Sequence, residues 1–288
     1  MKILMTGSGS SGSWRIRGEQ LGAAIGADVI PRATEVKPYL HGIEPYALAI
    51  LVKRPPLDLI LRLQRFKVPI VWDVVDAWPQ PDGNDWGERR CAAWLAERIG
   101  IIKPAAIVAA TQAMACDCAS FGVPVMCLPH HVRPGLGVNP IRERVTKVGY
   151  EGGPQYLGDW RPFLEQACAA RGWTFHVEPQ TITDLDIVVA LRDQRGYAPR
   201  NWKSNVKLAN AQGSGTPVIC NFEAGYVETQ SGGEVFADSR AEVLAALDTL
   251  TPLAERQARS RQLRAAAPTL EAVAVRYLDW LRGVAQKA

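Results

Sequence analysis

The stretch YAPRNWKSNVKLANAQGSGTPVICNFEAGY, residues 197 to 226, decides how the chain is read. Residues 204 to 212 are good to moderate helix formers, and Ser204 or Asn201 can cap the start by accepting hydrogen bonds from the first free backbone N–H groups. Lys203, Lys207 and Asn210 fall at i, i+4 and i+7, on one helical face, while Val206, Leu208, Ala209 and Ala211 supply packing surface. Gly213, Ser214 and Gly215 stop the helix, and TPVIC (216 to 220) predicts a buried strand that begins at a proline, where no ladder donor is needed. Two ammonium groups near a helix N-terminus, where backbone donors and the dipole favour anions, suit a phosphate. The same spacing also reads as a solvated lysine face.

Around this stretch the chain has room for two domains. Its 288 residues exceed one typical domain, and two of about 140 residues are the natural division. A hydrophobic content of 47% and a charged content of 22% are those of a soluble globular protein, and no apolar run reaches the roughly 18 residues of a membrane span. The opening MKILMTG is too short in apolar residues for a signal peptide, which predicts a cytoplasmic protein with no membrane association. Six cysteines without a CxxC pair read as free thiols, and four histidines cannot assemble a metal cluster, so neither a metal nor another cofactor is expected. A net charge of +4 without a basic run permits a polyanionic partner but does not indicate one.

The first half alternates strands and helices. A strand at 2 to 6 runs into GSGSSGS (7 to 13) and then a helical segment from Trp14 to Ile25, a Rossmann-like opening in which the glycines let the backbone approach a ligand. The loop lacks the GKS/T of a phosphate-binding P-loop and reads equally as a serine-glycine turn. Arg15 and Arg17 lie where side chains could reach the ligand. Further strands are predicted at 28–30, 47–52, 68–75, 106–110 and 123–128, an order that implies a parallel doubly wound sheet with its ligand beyond the carboxyl ends of the strands. There stand Lys53 and Arg54, then Asp73 and Asp76 followed by Trp78. Either aspartate could serve as a general base toward an acceptor hydroxyl, or could cap the next segment or pair with Arg89 and Arg90. His130 and His131, adjacent in a proline-bounded loop at a strand end, are candidates for hydrogen bonding or charge stabilisation.

A strand near 146–150 and the glycine turn 149–153 restart the pattern, so the expected domains are 1–143 and 144–267, with a helix over 268–288. A strand at 174–177, another at 186–190 and a helix over 160–171 complete a second Rossmann-like half. Residues 186 to 247 resemble the donor-binding domain of GT-B glycosyltransferases: IVVA (187–190), AQGSGTPVI (211–219), AGYVE (224–228), GG (232–233) and DSRAEVLAAL (238–247). The family commonly places glutamates where this chain has Trp202 and Asn210. More loosely, SGSWRIRGEQLG (11–22) resembles the opening of small bacteriophage glycosyltransferases, some of which modify bases in DNA.

The resemblance implies an α/β fold of two Rossmann-like domains facing a cleft, with a C-terminal helix crossing back to the first domain. It implies transfer of a sugar from a nucleotide sugar, UDP-glucose or similar, to a hydroxyl. Donor contacts would be Gly9, Ser11, Lys203, Ser204, Lys207, Asn210, Tyr226 and Glu228; catalytic candidates Asp73, Asp76, His130 and His131; acceptor contacts Trp14, Arg15, Arg17, Lys53, Arg54 and Trp78. The acceptor it suggests is 5-hydroxymethylcytosine in double-stranded DNA, acted on in a host cytoplasm if the protein is phage-encoded, by a monomer or weak dimer. A glycan or small-metabolite acceptor, an idle nucleotide-sugar-binding protein and an epimerase are the alternatives.

Overall fold

The computed structural model describes residues 1–7, 9, 11–32, 46–192 and 195–287, so Ser8 and Ser10 of the glycine loop lie outside the described residues. Contacts divide the chain into two units. Unit 1 comprises Met1–His130, Gly196–Ser204 and Thr269–Ala288, and unit 2 comprises His131–Arg195 and Asn205–Pro268. The first division thus falls between His130 and His131, earlier than the break expected after residue 143.

Unit 1 is built on six parallel strands, β1 (Ile3–Thr6), β2 (Asp28–Ile30), β3 (Leu48–Val52), β4 (Ile70–Asp73), β5 (Ala106–Ala109) and β6 (Val125–Cys127), in the order β2-β1-β3-β4-β5-β6. Strands β1, β3, β4 and β5 are buried at every position, as an apolar run covered by helices on both faces must be. One core side joins Trp72, Trp78 and Trp94 to the helices Leu57–Arg65 and Glu88–Ile102. The other joins Trp14 and Leu21 to the C-terminal helix Leu270–Lys287 through Ala274, Tyr277, Leu281 and Val284. That helix is the expected crossover, but it starts at Leu270, with the Ala272 N–H donating to Thr269 Oγ1, instead of at Pro268.

The short segment Gly196–Ser204 contributes more to this core than its length suggests. Its helix Tyr197–Asn201 is followed by Trp202, which is fully buried among Trp78, Trp94 and Tyr197, with ring centroids 6.0 to 6.3 Å apart. The indole Nε1 donates to Asp117 at 2.7 Å, and the Tyr197 hydroxyl donates to the same carboxylate. Thr111 Oγ1 donates to the Asn201 carbonyl at 2.6 Å. Gly196 is needed here because a Cβ would stand 2.5 Å from the Asn84 carbonyl oxygen.

Unit 2 carries five parallel strands, β7 (Lys147–Tyr150), β8 (Thr174–Val177), β9 (Ile187–Ala190), β10 (Val218–Cys220) and β11 (Val235–Phe236), in the order β11-β10-β9-β7-β8. Strand β11, two residues long, has no sequence signal of its own. The helix before β10 spans Val206–Ser214, two residues later than predicted, and ends at Gly215 with φ +69°, the left-handed turn that the glycines announce. Its N-cap is Asn205; neither Ser204 nor Asn201 caps it.

Trp202→Ala should cost about 3–5 kcal/mol, the usual loss for a buried aromatic. Hydrogen exchange should rise in unit 1 peptides, β4 and β5 above all, while β9 and β10 keep their protection; equal loss in both sheets would contradict this assignment of Trp202.

Candidate functional site

In both sheets the strand order reverses once, between β1 and β3 and between β7 and β9, and the crevice beyond the carboxyl ends at such a point is where ligands bind in open α/β sheets.

In unit 1 this edge is occupied by ion pairs. Asp76 receives Lys53 Nζ at 2.7 Å, Lys203 Nζ at 3.3 Å and the Ser13 hydroxyl at 3.2 Å. Lys203 also donates to Gln80 Oε1 at 3.2 Å and lies 5.0 Å from the centre of the Trp78 ring. Burial works to raise the Asp76 pKa, but Lys203 and Lys53 outweigh it and hold the carboxyl well below the usual range. A carboxylate held so low is a weak proton acceptor. Asp73 differs: it is fully buried, burial pushes its pKa up to about 6 against the pull of Arg17, and Arg17 Nε is 3.6 Å away. Between them Val75 takes φ +49°, a left-handed conformation that costs a β-branched residue of order 1–3 kcal/mol. Arg89 and Arg90 are partners of neither aspartate; Arg90 lies over Trp86.

Several sequence candidates are structural. Trp14 and Trp78 are buried, so neither ring is open to stack on a base, and Arg17 is buried and donates to the Leu128 carbonyl. Gly7 and Gly18 flank the Trp14 indole, which a Cβ at either position would strike at 2.7 or 2.4 Å. Much of the glycine signal therefore records the packing of one tryptophan, within a helical segment whose Arg15–Leu21 portion is π-helical. Gly9 does take a positive φ of 86°, beside Pro31 and Arg32, and Ser11 accepts from the Trp14 N–H. Arg15 is exposed; Arg54 is exposed and donates to the Ala77 and Trp78 carbonyls. His130 and His131 are both buried, and His131 Nδ1 lies 2.7 Å from the Val132 carbonyl oxygen.

In unit 2 the edge carries a cluster of cationic, amide and carboxylate side chains. Lys207, in the first turn of its helix, holds its ammonium 4.8 Å from the centre of the Tyr150 ring. A Cβ at Gly152 would stand 2.9 Å from Lys207 Nζ, so the glycine turn leaves this ammonium its space. Asn210 donates to Glu151 at 2.9 Å, Arg133 pairs with Glu151 at 2.7 Å, and the Arg133 N–H donates to Asn210. Behind them Arg192 lies 3.5 Å from the buried Glu223 carboxylate, and its guanidinium donates to the Tyr226 hydroxyl. Burial opposes the charge on Arg192, but Glu223 more than offsets it and keeps it protonated; burial pushes the Tyr150 hydroxyl up to about 12. Glu228 is exposed, one residue past the helix Ala224–Val227.

The shared helical face expected of Lys203 and Lys207 does not form, because the helix begins at Val206. Lys203 and Ser204 precede the helix and belong to unit 1, whereas Lys207 and Asn210 belong to unit 2. Glu151, Arg192 and Glu223 escaped the sequence reading, although each follows a predicted strand closely. Among the described residues no group of His, Cys, Asp and Glu could hold a metal ion, and no helix is long and apolar enough to cross a membrane.

This fold, an α/β chain with two parallel sheets, is that of the GT-B glycosyltransferases. The structure of WaaG, a glycosyltransferase involved in lipopolysaccharide biosynthesis, matches with a TM-score of 0.65 at 12% identity over 98% of this chain and 100% of that one. A glycosyltransferase from Rickettsia africae matches at 0.64 and 10% identity over 100% and 99%. An E. coli trehalose-6-phosphate protein bound with UDP-2-fluoro glucose matches at 0.57 and 13% over 88% and 76%. No protein-family model matches the sequence, and no curated protein does.

The raised pKa of Asp73 has a checkable sign. The folded protein keeps a proton that the unfolded chain has released, so this group's contribution to stability is complete below pH 3.8 and is lost as the pH rises through about 6. A carbon-13 titration should show the Asp73 carboxyl changing near pH 6 and Asp76 ionised throughout; a midpoint near 4 for Asp73 would refute it.

Proposed function

We propose that this protein transfers a sugar from a nucleotide-sugar donor to a hydroxyl acceptor, and that unit 2 binds the donor diphosphate. The observation that carries the reading is Lys207, poised over Tyr150 beside Gly152 where the strand order of β7 and β9 reverses. The likeness of the whole fold to glycosyltransferases supports it, one of them bound with UDP-2-fluoro glucose. In the transfer, the bond between the anomeric carbon and the diphosphate oxygen breaks and a bond to the acceptor oxygen forms. The electron pair leaves with the nucleoside diphosphate, whose developing charge Lys207 would meet.

The acceptor proton needs a destination. Asp76 is held too low by its lysines, and Asp73, His130 and His131 are all buried. The departing phosphate is then the base, which favours attack on the face it leaves and retention of the anomeric configuration. Proton NMR of the freshly formed product tests this; the inverted anomer would require a protein base.

Lys207→Ala should weaken nucleoside diphosphate binding by about 1.5–3 kcal/mol, the range for hydrogen bonds to charged groups, and abolish diphosphate release from a panel of UDP-, GDP-, ADP- and TDP-sugars. Unchanged affinity by calorimetry would remove Lys207 from the site. Donor binding without turnover would mark an idle binding protein, and conversion of the sugar without an acceptor an epimerase.

For the acceptor we propose 5-hydroxymethylcytosine in duplex DNA, on the likeness of residues 11–22 to bacteriophage glycosyltransferases, with Arg15 and Arg54 as exposed cations for the phosphate backbone. Modified duplex incubated with donor and digested to nucleosides should show a sugar mass increment. Its absence, with no salt-dependent binding to DNA, would leave a glycan or metabolite hydroxyl as the acceptor.

A further inference from the structure

Unit 1 contains a cavity beside the ion-paired strand edge, and none of the proposed donor residues lines it. It has a volume of about 260 Å³ and lies between the helices Leu57–Arg65 and Glu88–Ile102, with Ile60, Trp72, Trp94 and Ile102 among its apolar lining and Arg54 and Arg98 among its polar lining. The two indoles are 6.1 Å apart, centre to centre, and inclined at 52°. Gln64 Nε2 donates to the Ile101 and Ile102 carbonyls, both at 3.0 Å, and so ties the two helices together at one end. The Trp72 Nε1 donor is already satisfied by the Lys53 carbonyl at 2.8 Å, so this indole offers a ligand its ring and not a hydrogen bond.

Size and charge together define an occupant. A cavity of 150 Å³ lined by apolar side chains accepts benzene, so about 260 Å³ accommodates one or two fused rings and falls just below the usual range for small-molecule sites. Lys53 also lines the cavity, but its ammonium is engaged by Asp76 at 2.7 Å. Arg54 is different. Its Nε donates to the Ala77 carbonyl at 2.8 Å and another of its nitrogens to the Trp78 carbonyl, which fixes the plane of the guanidinium while leaving N–H groups for an anion. Arg98 adds a second positive charge, paired with its exposed neighbour Glu97 at 3.0 Å.

We infer that this cavity is a binding site for a small flat aromatic anion, its rings against Trp72 and Trp94 and its carboxylate or phosphate on Arg54 and Arg98. The site lies wholly in unit 1 and does not rest on the donor reading, although Arg54 is also one of the cations offered to the acceptor.

The test uses the full chain and 2-naphthoate as the probe, with 2-naphthamide as the uncharged control and acetate as the ringless one. Calorimetry should show one naphthoate bound per chain, the amide about tenfold weaker or less, and no acetate binding at the same concentration. The double variant Arg54→Gln, Arg98→Gln should lower naphthoate affinity about tenfold, since exposed cations each contribute modestly, and leave the amide unaffected. Ile60→Phe, which fills the cavity, should abolish binding of both ring compounds; circular dichroism confirms folding, and the double variant, changed only at solvent-accessible side chains, stands if Ile60→Phe does not fold. A naphthoate titration flat to millimolar concentration overturns the inference. So does binding that the loss of both arginines leaves unchanged.

Discussion

A carboxylate largely withdrawn from water has to be met by positive charge, and in this protein the part-buried Asp76 is met twice. Lys53 reaches it from the end of β3 and Lys203 from the segment that returns to unit 1 late in the chain, with Ser13 adding a hydroxyl from the first helical segment. Three stretches remote in sequence thus converge on one side chain. Removing either lysine would leave a poorly compensated charge, a larger penalty than the worth of an exposed ion pair. The same arrangement decides what the residues can no longer do: a lysine neutralised by Asp76 is a poor phosphate ligand, and an aspartate held by two ammonium groups is a poor base. The edge of unit 1 is chemically quieter than its residue types suggest.

Most of the fold was legible in the sequence because its central strands are buried on both faces. Runs such as LAILV and AIVA tolerate few other readings when glycine and polar turns bound them. The alternation of these runs with amphipathic helices also carried the parallel topology. Legibility failed at β11, whose two residues give no periodicity, and at the start of the helix Val206–Ser214, where Ser204 had the chemistry of a cap but not its place. Local propensity cannot tell that the preceding residues are pulled into another core by Trp202.

The site was legible in kind more than in detail. The rule that polar residues after a strand's carboxyl end face the ligand applies to Arg192 and Glu223 as well as it does to Lys53, yet a sequence does not reveal which of these will be paired and buried. Trp14 and Trp78 illustrate the converse. An aromatic beside a cation invites a stacking role, but in unit 1 both rings are walls of the core, and glycines that resemble a nucleotide loop serve to admit one of them. In unit 2 Lys207 holds its ammonium beside the Tyr150 ring, on a helix that Lys203 does not join.

Unit 1 is assembled from three separate pieces of chain, and the last of them is the final helix. Its six strands all precede residue 131, but Trp202, Tyr277 and Leu281, which pack on them, come only after the chain has passed through unit 2. Unit 2, second in the sequence, needs nothing beyond Pro268 to close its sheet. Until those segments arrive, the apolar side chains of unit 1 that they cover are left open, the kind of surface through which incomplete chains aggregate or recruit chaperones.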